Sequence, residues 1–250
     1  MKIQTFVPRK LLVCIAIGLA GVAPQANATD WDWMVAPYVW LPSVGSDLER
    51  TVPPEGGISS DISFDDVLDK GDGAFLIHSE GQGDDFGVLA DFIYLGLADD
   101  HEFERFNTET DFDARLFDLA GVWSPGDERY QGFEVIAGLR YIDVNVSAKF
   151  DPINPAFATT SFDGGDTLYD FLLGVRFSTQ LSDKWGLSLR GDGSTGDSQG
   201  TWGFDGTISY KTDSGAWFAG YRYLSVEYGD DDRDVRLDLS GPTFGYAFKF

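Results

Sequence analysis

Apolar residues in this sequence recur at every second position, in stretches of about 9 to 13 residues, the length a tilted strand needs to cross a bilayer. A period of two belongs to extended chain, where successive side chains point to opposite faces. The clearest case is the C-terminal stretch. Phe244, Tyr246, Phe248 and Phe250 alternate there with Thr243, Gly245, Ala247 and Lys249, so one face is aromatic and the other small or charged. Helical periodicity is almost absent, and after the first 28 residues no apolar run reaches 18. Strands, not helices, must carry this fold.

A strand with one aromatic face could line the core of a soluble sandwich or meet lipid from the wall of a barrel. Two features favour the barrel. The aromatic face continues to Phe250 with no sequence after it to cover it. The opposite faces carry charges in mid-strand, among them Arg140, Arg176, Arg190 and Arg222, which a barrel can turn into a polar interior. A sheet exposed to lipid must also close on itself, because an open edge has no water to bond. The expected class is therefore all-β: a closed antiparallel transmembrane β-barrel.

Ten strands are expected, at 31–41, 73–83, 86–97, 111–123, 132–146, 168–181, 185–195, 200–211, 216–228 and 236–250. Eight remain open if two outer segments are loop hairpins, and twelve are a further alternative. Short connections at 84–85, 124–131, 182–184 and 212–215 read as periplasmic turns. The longer 42–72, 98–110 and 147–167 read as extracellular loops, with 196–199 and 229–235 as shorter ones. Trp31, Trp33, Trp123, Trp185 and Trp217 fall near the predicted periplasmic strand ends, where an amphipathic ring suits the headgroup level.

Residues 1–28 read as a cleaved secretory signal peptide, leaving 29–250 as the barrel. Lys2, Arg9 and Lys10 give the basic start, 11–23 the apolar core, and Ala26-Asn27-Ala28 the small-residue cleavage pattern. Cys14 is the only cysteine and lies in the apolar core after Val13, which is too large for a lipoprotein signal. The barrel is then expected to be free of disulfides and Cys-ligated metals. The chain has 18 basic and 41 acidic residues, a formal net charge of −23, and the signal removes three basic residues and no acidic one. That sign opposes nucleic-acid binding.

Following each strand's alternation gives a list of candidate interior charges. The acids are Glu80, Asp91, Asp118, Glu134, Asp170, Asp192 and Asp205, and the bases are Arg140, Arg176, Arg190, Arg222 and Lys249, with His78 nearby. The second to fourth expected strands supply only acids, whereas the fifth, sixth, seventh and ninth each supply an arginine. Two readings follow. Opposite charges pair across a narrow interior and plug it, as buried charges demand, or they set a transverse field across a slim solute-selective pore.

The sequence resembles a family of poorly characterised proteobacterial outer-membrane β-barrel proteins, broadly the OmpA/OmpW-like small barrels. The resemblance is carried by Trp31-Asp32-Trp33 with Pro37-Tyr38-Val39-Trp40-Leu41, by Ser63-Phe64-Asp65-Asp66-Val67-Leu68, and by Leu89-Ala90-Asp91-Phe92. Ala137-Gly138-Leu139-Arg140-Tyr141, Gly220-Tyr221-Arg222-Tyr223-Leu224 and the segment from Gly241-Pro242 to Phe250 complete it. It implies an outer-membrane barrel and no established reaction.

The expected function is thus a non-enzymatic structural barrel in the outer membrane with a charge-paired lumen and no cofactor. The alternative is a narrow porin-like channel, and behind it a rim-site hydrolase or a calcium-binding surface protein. Expected partners are outer-membrane lipid and the barrel assembly machinery, engaged through the C-terminal strand. Divalent cations at acidic loops are a further candidate. Asp230, Asp231 and Asp232, and Asp99-Asp100-His101-Glu102, offer oxygen ligands but lack EF-hand spacing. In loop 42–72, Ser63 is placed to cap a short helix through Asp66. His78 and Ser79 are adjacent in a strand, hence on opposite faces, and cannot act as base and nucleophile together. The glycines of 191–200 lie in a strand-to-strand turn and lack the strand–loop–helix setting of a phosphate cradle.

Overall fold

A computed structural model describes residues 31–50, 56–62, 71–102, 106–126, 128–153, 159–230 and 233–250. The signal segment 1–28 and the capping serine with its short helix (63–70) lie outside these residues, as do the side chains of Asp99, Asp100, His101, Asp230, Asp231 and Asp232.

Twelve strands are described, all antiparallel: β1 (Asp32–Trp40), β2 (Ser43–Arg50), β3 (Gly56–Ile62), β4 (Gly71–Gln82), β5 (Phe86–Glu102), β6 (Phe106–Trp123), β7 (Gly132–Pro152), β8 (Thr160–Gln180), β9 (Trp185–Gly196), β10 (Gly200–Lys211), β11 (Gly215–Asp230) and β12 (Arg233–Lys249). Ten of them close a barrel in the order β1-β4-β5-β6-β7-β8-β9-β10-β11-β12, with β12 paired back to β1. Closure runs from Met34 opposite Lys249 to Trp40 opposite Thr243. It is finished at the chain terminus by paired backbone bonds between Trp33 and Phe250. No helix among the described residues is long and apolar enough to cross a membrane.

The outer strands differ from the expectation. Segments 98–110 and 147–167, read as loops, are largely ladder: β5 and β6 pair out to Glu102 opposite Asn107, and β7 and β8 out to Phe150 opposite Thr160. The reason is physical. Above the membrane the outward face no longer needs to be apolar, so the two-residue signal fades while the backbone ladder continues. Segment 42–72 likewise holds the hairpin β2–β3. Its first strand continues along β12 from Ser43 opposite Ser240, just beyond the point where β1 stops.

The handover from β1 to β2 needs a close approach at Gly241. A Cβ there would lie 2.1 Å from the Leu41 carbonyl oxygen and 2.8 Å from the Pro42 Cα. Leu41 N–H meanwhile donates to the Pro242 carbonyl at 3.1 Å. Pro242 has no N–H to give the ladder, which suits a site where one partner strand replaces another.

The outward face defines a belt. At the turn end stand Trp33, Phe86, Trp123, Phe133, Trp185, Trp217 and Phe250, all exposed, with Trp31 stacked on Trp33 at 5.8 Å. Phe244, Phe248 and Phe250 of the last strand are exposed too, and Tyr246 packs edge-on against Trp217 and Phe248. At the other end tyrosines reach for aspartates: Tyr94 donates to Asp113 at 2.8 Å and Tyr223 to Asp238 at 2.7 Å, while Arg115 pairs with Asp143 at 3.3 Å. Between these rows the outward side chains carry no charge, as in Val88, Leu119, Leu139, Leu173 and Phe204. Such a surface requires lipid. Gly241→Val is expected to cost at least about 1–3 kcal/mol through overpacking, read as a lower urea midpoint of the refolded barrel.

Candidate functional site: the barrel interior

Inward-facing positions follow from strand parity, and they assemble the expected charges into three contiguous groups. The first lies at the turn end. Arg176 on β8 donates from Nε to Glu134 on β7 at 2.5 Å, and from both terminal nitrogens to Glu80 on β4 at 2.5 and 2.7 Å. Gln82 bridges the same two carboxylates at 2.7 and 2.6 Å. Its carbonyl accepts from the backbone N–H of Tyr130 at 2.6 Å. Tyr130 sits in the β6–β7 turn with φ of 59°, a left-handed conformation, and its hydroxyl donates to the Asp32 carbonyl at 2.6 Å. Arg129 beside it binds Asp84 at 2.8 Å and Asp32 at 3.3 Å. One turn thus folds under the barrel and fastens β1, the β4–β5 turn and the interior network together.

The second group crosses the waist. Arg140 on β7 is fully buried and grips Asp118 on β6 with two bonds of 2.8 Å. It also reaches across to Asp192 at 2.8 Å and Thr201 at 2.9 Å. Arg190 closes the ring on Asp192 at 2.8 Å and Asp118 at 3.4 Å. Asp170 stands opposite Arg140 in the ladder but bonds elsewhere. Its carboxylate accepts from the Ser194 hydroxyl at 2.7 Å and from the Ser198 hydroxyl and backbone N–H at 2.5 and 3.0 Å. Asp170 therefore fastens the tip of the β9–β10 hairpin rather than balancing an arginine.

The third group joins β1, β4, β5 and β11. Arg222 donates to the Tyr38 hydroxyl at 2.9 Å, lies 3.6 Å from Asp91 and covers the Trp40 ring at 5.3 Å. Tyr38 in turn donates to Asp91 at 2.8 Å. His78 has Nε2 3.2 Å from Glu80 and Nδ1 3.4 Å from Asp91, linking this group to the first. Two expected charges stand apart. Asp205 accepts only from Thr207 at 2.7 Å among the described bonds, although Arg190 and Arg222 are its ladder partners. Lys249 lies over the Tyr130 ring at 5.2 Å.

Sequence reasoning missed Gln82, Tyr38 and Tyr130. Gln82 shares parity with Glu80, and Tyr38 has the parity opposite to Trp31 and Trp33 in its strand, so extending the alternation to uncharged polar side chains would have found them. Tyr130 gave no signal, since its role depends on where a turn folds.

The outer half of the interior is different in kind. Trp40, Leu76, Ile93, Leu95, Leu116, Ile142, Val144, Leu168, Leu224, Val226, Leu237 and Leu239 form one apolar cluster, each 7% exposed or less. These side chains come from eight of the ten barrel strands, all but β9 and β10. Inward side chains around a water-filled bore would be wet; these are packed against one another. On the turn side a cavity of about 460 Å³ remains, running from the turns at Lys184 and Asp213 inward past Asp205 and Arg222 to Leu224. No group of three or more His, Cys, Asp or Glu among the described residues is disposed to hold a metal ion.

No family model and no curated protein matches this chain. Solved structures do. The outer-membrane protease OmpT from Escherichia coli matches over 89% of this chain and 97% of its own, at 10% identity and a TM-score of 0.50. The attachment invasion locus protein Ail of Yersinia pestis, in complex with a heparin analogue, matches over 88% and 99%, at 12% identity and 0.40. At 10% identity the likeness to OmpT is one of fold: a closed barrel.

The network makes a sharp prediction. Arg176→Met leaves Glu80 and Glu134 buried without a guanidinium, and should cost about 3–5 kcal/mol in urea unfolding of the refolded protein. Replacing Glu80, Glu134 and Arg176 together by Met should restore most of that loss, because an apolar trio has no charge to strand. A single variant as stable as the parent would contradict the assignment.

Proposed function

We propose that this protein is a non-enzymatic structural barrel of the outer membrane whose lumen is closed to solutes. The observation that carries this reading is the apolar cluster spanning the outer half of the interior, with the arginine–carboxylate network beneath it. A charged or polar solute entering it would lose its water and gain no partner. The resemblance to OmpA/OmpW-like small barrels belongs to the same proposal.

The non-enzymatic part rests on His78. Both ring nitrogens face carboxylates, at 3.2 and 3.4 Å, so neither is placed to take a proton from a nucleophile. Outer-membrane placement is supported by the uncharged belt between the aromatic row and the tyrosine–aspartate row. Lipid is then the partner of the belt, export by a cleaved signal at 1–28 is part of the reading, and the exposed aromatic face of β12 is the surface offered to the assembly machinery. Acidic loops carrying divalent cations remain a secondary proposal, with the charge of the chain as its only support.

Planar-bilayer recording of the refolded protein tests the closed lumen. The expected result is no conductance above the bare bilayer. Leu224→Ser with Val226→Ser, which wets the inner end of the cluster, should introduce it. Steady unitary currents from the unmodified protein would favour the channel reading instead.

A further inference from the structure

The turn-side cavity has the size of a ligand site, and its depth holds an acid and a base that are not paired at contact distance. Ligand sites span about 300–1,000 Å³, and this one holds about 460 Å³ with its mouth among the turns. Arg140, Arg190 and Asp192 in its lining are paired at contact distance, but Asp205 and Arg222 are not. Asp205 has Arg190 and Arg222 as ladder neighbours on either side, yet among the described residues it forms no ion pair and accepts only from Thr207. Arg222 spends one terminal nitrogen on Tyr38 and holds Asp91 no closer than 3.6 Å. Hydroxyls fill the wall between, with Ser178 and Ser188 bonded to each other at 3.0 Å. Thr243 lines the same cavity, and its buried hydroxyl has no hydrogen-bond partner among the described residues.

That chemistry selects by elimination. Small anions meet Asp91, Asp192 and Asp205, and small cations meet Arg190, Arg222 and the lysines of the mouth. An apolar molecule would strip water from charges that lack close partners. A neutral polyhydroxylated molecule avoids all three penalties. Each of its hydroxyls can donate to a carboxylate and accept from a guanidinium or a serine, while Phe218 and Tyr38 offer an apolar face to its C–H groups. We propose that the cavity is a binding site for a small neutral saccharide entering from the turn side, with Asp205 and Arg222 as its central acceptor and donor. This goes beyond the closed-lumen reading and is independent of it, since a blind cup binds without conducting.

The test is calorimetric titration of the refolded full chain with maltose, in a detergent without a sugar headgroup, with inorganic phosphate and magnesium chloride as parallel titrants. Saturable heat with maltose alone is expected. Asp205→Asn, which keeps the size of the side chain and leaves the arginine network untouched, should weaken it about tenfold or more, as loss of a charge-assisted bond does. Arg222→Gln should weaken it comparably, and if that variant does not fold, Asp205→Asn carries the test. Absence of saturable maltose binding, saturation by phosphate or magnesium instead, or maltose affinity unchanged in Asp205→Asn would each overturn the proposal. Bilayer recording reads the closed lumen separately, so either idea can fail alone.

Discussion

A guanidinium with no exposed side-chain surface, as Arg140 has, keeps its charge only if carboxylates surround it. That demand organises the interior of this barrel. Arg140 and Arg190 share Asp118 and Asp192, and Arg176 holds Glu80 and Glu134. Some of the partners come from strands that are not neighbours in the wall. Glu80 and Arg176 are 96 residues apart in sequence, and Arg140 and Asp192 are 52 apart. Arg176–Glu80, Arg140–Asp192 and Arg190–Asp118 are cross-braces between non-neighbouring strands, while Arg140–Asp118 and Arg176–Glu134 join direct ladder partners, so the register of the wall is tied to the geometry of the braces. A slip of one residue would turn the interior arginines of the shifted strand toward lipid.

Polarity then divides along the axis. At the turn end and waist the interior is ionic and hydroxyl-rich, with a cavity on the side of β9 to β12. In the outer half it is a packed apolar core like that of a soluble protein. Arg222 lies at the boundary, its guanidinium over the Trp40 ring. In the closed-lumen reading proposed above, what reaches the cavity comes from the turn side.

Much of the wall was legible in the sequence because lipid outside and charge inside give the two-residue pattern its contrast. Each of the ten expected strands overlaps a barrel strand, and the parity of the interior charges followed from the same pattern. Legibility failed where contrast failed. The strand extensions of β5 to β8 are polar on the outward side, so they read as loops. The apolar core of the outer half was invisible for the opposite reason. Ile142 and Leu168 alternate with Tyr141 and Tyr169, so neither parity there reads as interior. Asp170 shows a third limit: parity sends a side chain inward but does not say whether it meets an arginine or a serine. Tyr130 depends on a left-handed turn residue and the folding of that turn under the barrel, which no periodicity encodes.

The dead-ended interior is tested most directly by thiol accessibility, with Cys14 replaced by Ala and single cysteines placed at Ser209 in the cavity and Val226 in the apolar cluster. In uniformly oriented vesicles, a membrane-impermeant maleimide should label the Ser209→Cys chain from the turn side alone, and the Val226→Cys chain from neither side. Labelling of the Ser209→Cys chain from the loop side would mean a continuous aqueous path and would contradict the account.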